Sequence, residues 1–171
     1  MPDALPQSSP LPLGPVVAPP RGYTAMLARS ASYARRWSAL IVLTPEAWAV
    51  IRQERETLEW AFEPDPAARD EWNPAANGVG DCEDWALACR RRLVMAGFPR
   101  DALLMAVCKT PASEDHAALV IATDRGDYVA DVRRMETLPW AETGYQWIAV
   151  EGARGEWRAV VKTMSLAELA V

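Results

Sequence analysis

The 171-residue chain has one histidine, three cysteines and no surplus of basic charge, and each scarcity removes a class of function. Eighteen Lys and Arg against twenty-three Asp and Glu leave a formal charge of −5. A chain of that balance is not built to neutralise a phosphate backbone, so nucleic acid is excluded as a partner. No apolar run approaches the ~20 residues needed to span a bilayer, so no membrane insertion is expected. The three cysteines, Cys82, Cys89 and Cys108, cannot all pair within one chain. That rules out a closed disulfide framework and favours a reducing compartment. Residues 1–20 hold seven prolines and lack both a basic leader and an apolar core, so no export signal is visible. The expected setting is cytoplasmic, or periplasmic if a leader has been removed.

What the chain does have is eight tryptophans, a load that a core of this size must largely bury. Residues 1–21, rich in Pro and Ser, are expected to form a flexible arm, and residues 22–171 a single domain. Tyr23, Met26, Leu27, Ser30, Tyr33 and Trp37 trace one face of an expected helix. Thr44 and Pro45 then make a cap and a first helical residue, and Trp48, Ile51, Arg55, Leu58 and Phe62 carry that pattern to about Phe62. Asp65 to Gly80, with Asn73-Pro74 and Asn77-Gly78, has the turn chemistry of a surface loop. A third helix is expected over Asp81–Met95, closed by Gly97. Strands follow at Ala102–Cys108, Ala117–Ala122, Tyr128–Val132, Gln146–Val150 and Glu156–Val161, with a hairpin turn at Thr123-Asp-Arg-Gly126. Helices first and an antiparallel meander afterwards define an α+β class.

One constellation in this order carries chemistry. A thiol attacks only as thiolate, and the free N–H groups and positive end of a helix N-terminus favour that anion. Cys82, in Gly80-Asp81-Cys82-Glu83-Asp84-Trp85, stands at such an end. The chain's single histidine, His116, heads an apolar strand, and Asp131 ends the next strand across the hairpin. Adjacent antiparallel strands can bring the two together, His116 as base and Asp131 as the acid that orients it. Each residue alone has a plainer reading: a helical Cys is usually a small apolar residue, which is how Cys89 and Cys108 are read. The three in one order point to a Cys-His-Asp triad.

The runs Gly80–Trp85, Ala96-Gly-Phe-Pro-Arg100, His116-Ala-Ala-Leu119, Thr123–Asp131 and Leu138-Pro-Trp-Ala-Glu-Thr-Gly-Tyr145 resemble the bacterial transglutaminase-like cysteine proteinases, over roughly Gly22 to the C-terminus. The resemblance implies a papain/transglutaminase-like core, with the nucleophile helix packed on an antiparallel β-sheet. It also implies a cysteine peptidase acting on a protein or peptide through an acyl-enzyme at Cys82. The family includes periplasmic proteases that clip a large surface adhesin at a paired-alanine site. Acyl transfer to an amine, deamidation, or a non-catalytic binding module on the same fold are the alternatives.

The same resemblance implies calcium, with ligands mapping to Asp81 and Glu83, and no organic cofactor. Charge gives this a rationale, because Asp81, Glu83 and Asp84 would oppose a thiolate at Cys82 and a cation would cancel that opposition. The plainer reading is that acids suit the first turn of a helix, with Asp81 as its cap. For the oxyanion, the backbone N–H of Cys82 is one donor and the indole N–H of Trp72 is the candidate for a second; the alternative is that Trp72 only packs over the cleft. Pro74-Ala-Ala-Asn-Gly78 is similar to the paired-alanine target, which raises self-cleavage. Periplasmic relatives carry a cysteine pair where Leu27 and Ala34 stand here, and often Asn where Val132 follows the triad acid, so the adhesin role is not inherited with the fold.

Overall fold

A computed structural model describes residues 5–66 and 69–161. The expected α+β class is what it shows: among the described residues, three α-helices and an antiparallel sheet of seven strands. The strands are β1 (Leu13–Val17), β4 (Leu103–Lys109), β5 (Asp115–Thr123), β6 (Gly126–Ala130), β7 (Leu138–Pro139), β8 (Gln146–Glu151) and β9 (Trp157–Val160). A two-residue parallel pair, β2 (Ala61–Phe62) with β3 (Val79–Gly80), stands apart from them. Among the described residues no helix is long and apolar enough to cross a membrane.

The sheet is not a simple meander. Its order is β1-β9-β8-β4-β5-β6-β7, so after β7 the chain returns across the sheet to lay β8 on the free side of β4. Period-2 alternation then sorts the side chains. Leu103, Met105, Leu119, Ile121 and Ala130 face the helices in the larger core, while Leu104, Ala106, Cys108, Ala118, Val120 and Val129 form a second core on the opposite face. Cys108 pairs with His116 across β4 and β5, so His116 shares that second face.

Three local expectations change. The proline-rich segment, expected to be a free arm, contributes β1 to the sheet edge beside β9. Pro15 is tolerated there because an edge strand can spare a donor, and the register breaks between Leu13 and Val16. Upstream, Leu11 is buried and its N–H meets Asp127 Oδ2 at 2.7 Å, while Tyr128 donates to the Pro6 carbonyl at 2.6 Å. The first helix, α1, spans Arg21–Arg29 rather than reaching Trp37: Ser30 is extended, and Trp37 is left exposed. The second, α2, starts with Pro45 under a Thr44 cap as expected but stops at Glu56, not Phe62. Beyond it the backbone is drawn into pairing with the loop, Ala61 N–H to the Gly78 carbonyl at 2.8 Å and Trp60 Nε1–H to the Gly80 carbonyl at 3.0 Å.

The third helix, α3 (Cys82–Met95), packs on β5 and ends in the motif that Gly97 permits. Gly97 has φ +101°, its N–H reaches the Val94 carbonyl and the Phe98 N–H reaches that of Leu93. The paired-alanine segment is held down behind this helix: Arg91 donates to the carbonyls of Pro74 at 2.7 Å and Ala76 at 2.9 Å, and Ala76 is buried.

Candidate active site

α3 opens the site. Gly80, at φ +147°, turns the chain so that Cys82 becomes the first helical residue, and Asp81 stands at the cap position without using its side chain as a cap. The backbone N–H groups of this first turn have no partner within the helix and make it a place for negative charge. Cys82 Sγ accepts the Ala117 N–H at 3.4 Å and donates to Glu83 Oε2 at 3.2 Å. Burial, and after it the charge of Glu83, push the thiol up. The other cysteines are buried and pushed up to about 12 by that burial, as their apolar reading requires.

β5 and the segment after β6 supply the partners. His116 Nε2 lies 2.8 Å from Asp131 Oδ1, both side chains fully enclosed. Burial alone would raise Asp131, but His116, Tyr145 and the Arg133 N–H outweigh it and hold the carboxyl below its usual range. The second ring nitrogen, Nδ1, is buried with no hydrogen-bond partner among the described residues. Cys82 and His116 line one cleft of about 820 Å³, together with Trp72, Val17, Ile148 and Ala159. Its far wall is therefore the apolar edge of the sheet, including the β1 strand that the sequence did not reveal.

Trp72 is at the cleft, but its indole N–H is already engaged. It donates to Asp70 Oδ1 at 2.9 Å, and the ring is only 2% exposed. It stands edge-on to Tyr23 and Trp157, with centroids 5.7 and 6.1 Å away. A Cβ on Gly22 would lie 2.2 Å from the indole, which explains the glycine there. The indole N–H is thus spent on Asp70, while the ring packs against Tyr23 and Trp157.

The acids beside Cys82 form a tighter group than the spacing suggested. Carboxylate oxygens of Asp81, Glu83 and Asp65 lie within 4.8 Å of one another. Asp81 Oδ1 is buried and unpartnered, its other oxygen receives the Asp65 N–H at 3.4 Å, and burial followed by Asp81 pushes Glu83 up to about 8. Asp84, pushed up to about 6 chiefly by burial, instead receives the Asn73 N–H at 2.8 Å and ties the loop to the helix. Asp65 was missed because it sits in an aperiodic loop, sixteen residues before Asp81. Tyr145 was quoted in a motif but given no role; its hydroxyl donates to Asp131 Oδ2.

Solved structures of Legionella pneumophila LapG share this fold. The calcium-bound form is 22% identical with a TM-score of 0.58, covering 71% of this chain and 74% of that one. The EGTA-treated form is 21% identical with a TM-score of 0.59, covering 72% and 74%. No curated protein matches the chain. The sequence profile of the bacterial transglutaminase-like cysteine proteinases matches residues 16–164, nearly all of the region that builds the sheet, the helices and the cleft; the chain belongs to that family and is a cysteine peptidase.

Proposed function

We propose that the chain hydrolyses a protein or peptide substrate through an acyl-enzyme on Cys82, with His116 as general base and Asp131 as its orienting acid. The observation that carries the reading is the buried His116–Asp131 bond of 2.8 Å, which commits Nε2 and leaves Nδ1 unpartnered on a ring that borders the same cleft as the thiol. In this mechanism Nδ1 takes the thiol proton, the thiolate adds to the scissile carbonyl, and the imidazolium returns the proton to the leaving amine. Water, deprotonated by His116, then releases the acyl group. The oxyanion is taken up in this reading by the backbone N–H of Cys82, the first residue of α3.

Calcium belongs to the same reading. Asp65, Asp81 and Glu83 offer only hard oxygen donors, gathered with an orphaned carboxylate oxygen and no ion pair among the described residues, which is the donor chemistry calcium takes. Legionella LapG, similar in fold, is known in a calcium-bound form. Asp65, Asp81 and Glu83 would hold the ion, whose positive charge would offset the effect of Glu83 on the thiol, and Asp65 would link it to the loop that carries Trp72 and Asp70.

The test is the rate at which iodoacetamide alkylates Cys82, read by peptide mass, with and without Ca²⁺. Fast labelling that falls by about 100-fold or more in His116→Ala is expected, from the usual scale of a general base. Calcium should accelerate it and EGTA should reverse the gain. Slow labelling unaffected by either change would overturn the reading.

A further inference from the structure

We infer that Tyr145 is a positioning residue of the catalytic array, holding Asp131 and His116 in register; the inference rests on the peptidase reading above. Asp131 is fully buried, and its two carboxylate oxygens are held differently. Oδ1 receives His116 Nε2 at 2.8 Å and the Arg133 N–H at 3.1 Å. Oδ2 receives the Tyr145 hydroxyl. A buried carboxylate oxygen deprived of its donor will turn to find another, and that turn carries Oδ1 away from the imidazole. The hydroxyl therefore fixes which oxygen faces His116.

The ring acts on the histidine as well. Tyr145 stands edge-on to His116, centroids 5.4 Å apart at 69°, so one side chain touches both the base and its acid. Its own position is built from three sides. The Arg134 guanidinium lies over the ring at 5.2 Å and is anchored on the Thr143 carbonyl at 2.5 Å. The Tyr145 N–H meets Thr143 Oγ1 at 3.3 Å, and Trp147 abuts the ring at 5.8 Å. Gly144, at φ +71°, makes the turn that delivers the residue.

A plainer account would have the tyrosine merely satisfying its own hydroxyl. It fits poorly, because Tyr145 is only half-buried and water could serve that hydroxyl, whereas the carboxylate it serves is wholly enclosed. Burial and then Asp131 push the phenol up to about 12, so it remains a donor throughout the neutral range.

The experiment uses the full chain with Ca²⁺ and iodoacetamide as the probe, comparing wild type with Tyr145→Phe. Its second readout is the imidazole N–H proton of His116 by NMR, a signal free of overlap because the chain has one histidine. Cys82 labelling is expected to fall about tenfold, with the ring N–H resonance shifted or lost and the thermal midpoint nearly kept. Wild-type labelling in the variant, or a slowed variant whose ring N–H resonance is unmoved, would overturn the inference while leaving the triad standing. Slow labelling in the wild type itself would instead bring down the peptidase reading beneath it. Should Tyr145→Phe not fold, Arg134→Ala frees the ring and keeps the hydroxyl. A smaller loss with the same spectral change is then expected, and wild-type behaviour on both readouts overturns the idea.

Discussion

Two acidic centres meet the same helix α3, one at Arg90 and one at its first turn, and the protein treats them in opposite ways. Glu151, at the end of β8, is 1% exposed and every lone pair it offers is answered. Tyr23 donates at 2.8 Å and the Arg35 N–H at 3.2 Å to one oxygen; Arg90 at 2.9 Å and the Met105 N–H at 3.1 Å serve the other. Asp65, Asp81 and Glu83 gather beside Cys82 with no ion pair among the described residues, one oxygen orphaned and the thiol donating to Glu83. Burial of charge is costly unless it is answered. Glu151 joins α1, α3, β4 and β8 into one structure, whereas the trio leaves that cost standing at the place where chemistry is expected. The completeness of partners, not burial itself, separates Glu151 from the acids proposed to hold calcium.

The comparison breaks hardest at Glu151. Glu151→Ala strips Arg90 of its counter-ion inside the core and should cost about 3–5 kcal/mol, the usual penalty for an uncompensated buried charge. That is much of a small domain's stability, so denaturant unfolding should show a large fall in midpoint, or no folded protein. A loss below ~1 kcal/mol would mean that the network is dispensable. Calcium should stabilise the variant by as much as it does the wild type, leaving the gap between them unchanged, since Glu151 lies outside the acidic group.

At the trio the signs reverse. The triple change Asp65→Asn, Asp81→Asn, Glu83→Gln should leave stability in EGTA equal to or above wild type, because at Asp81 and Glu83 it removes charges that burial penalises. The wild type should gain about 2.7 kcal/mol in calcium at a hundred times its dissociation constant, and the variant nothing. The pH dependence has the same origin. Glu83 is pushed up to about 8, so its charged form is disfavoured in the fold relative to the open chain. Cation-free protein should therefore lose stability as pH rises from the ordinary carboxylate range towards 8, and calcium should flatten that slope. Thermal unfolding across pH with EGTA or Ca²⁺ decides it; a cation-free protein that gains stability with pH would contradict this account.

Much of the fold and of the Cys-His-Asp constellation was legible in the chain, and the rest was hidden for reasons that can be named. Thr44-Pro45, Gly80 to Trp85, Gly97 and Thr123 to Gly126 are local signals, set by capping and turn chemistry within a few residues, and they placed α3 and the β5–β6 hairpin well. His116 and Asp131 followed from that hairpin, because antiparallel register brings them to one face. What failed was non-local. Pro15 argued against a strand because edge position is invisible in a sequence, and Phe62 looked helical until the loop at Gly78 to Gly80 claimed the backbone. Asp65, Tyr145 and the ring of donors around Glu151 depend on the return of β8 to the far side of β4 and on the path of an aperiodic loop. No spacing rule reaches that far.

Asp70, an exposed acid in the same loop as Asp65, tests the comparison from the weak end, since each of its oxygens has a donor. Its Oδ1 takes the Trp72 indole N–H at 2.9 Å and its Oδ2 the Gly22 N–H at 3.0 Å, joining the loop to the start of α1. By the rule drawn from Glu151, Asp70 and Trp72 are structural although both line the cleft. Trp72→Phe should then cost about 1 kcal/mol, one neutral donor lost against a carboxylate that keeps its other partner, and alter Cys82 labelling by less than about twofold. The edge-on contacts with Tyr23 and Trp157 make a phenyl ring the gentlest replacement. A tenfold drop in labelling at unchanged stability would place the indole N–H in the chemistry after all. It would also show that an answered group can still be a functional one, which is the point where the contrast between the two acidic centres would give way.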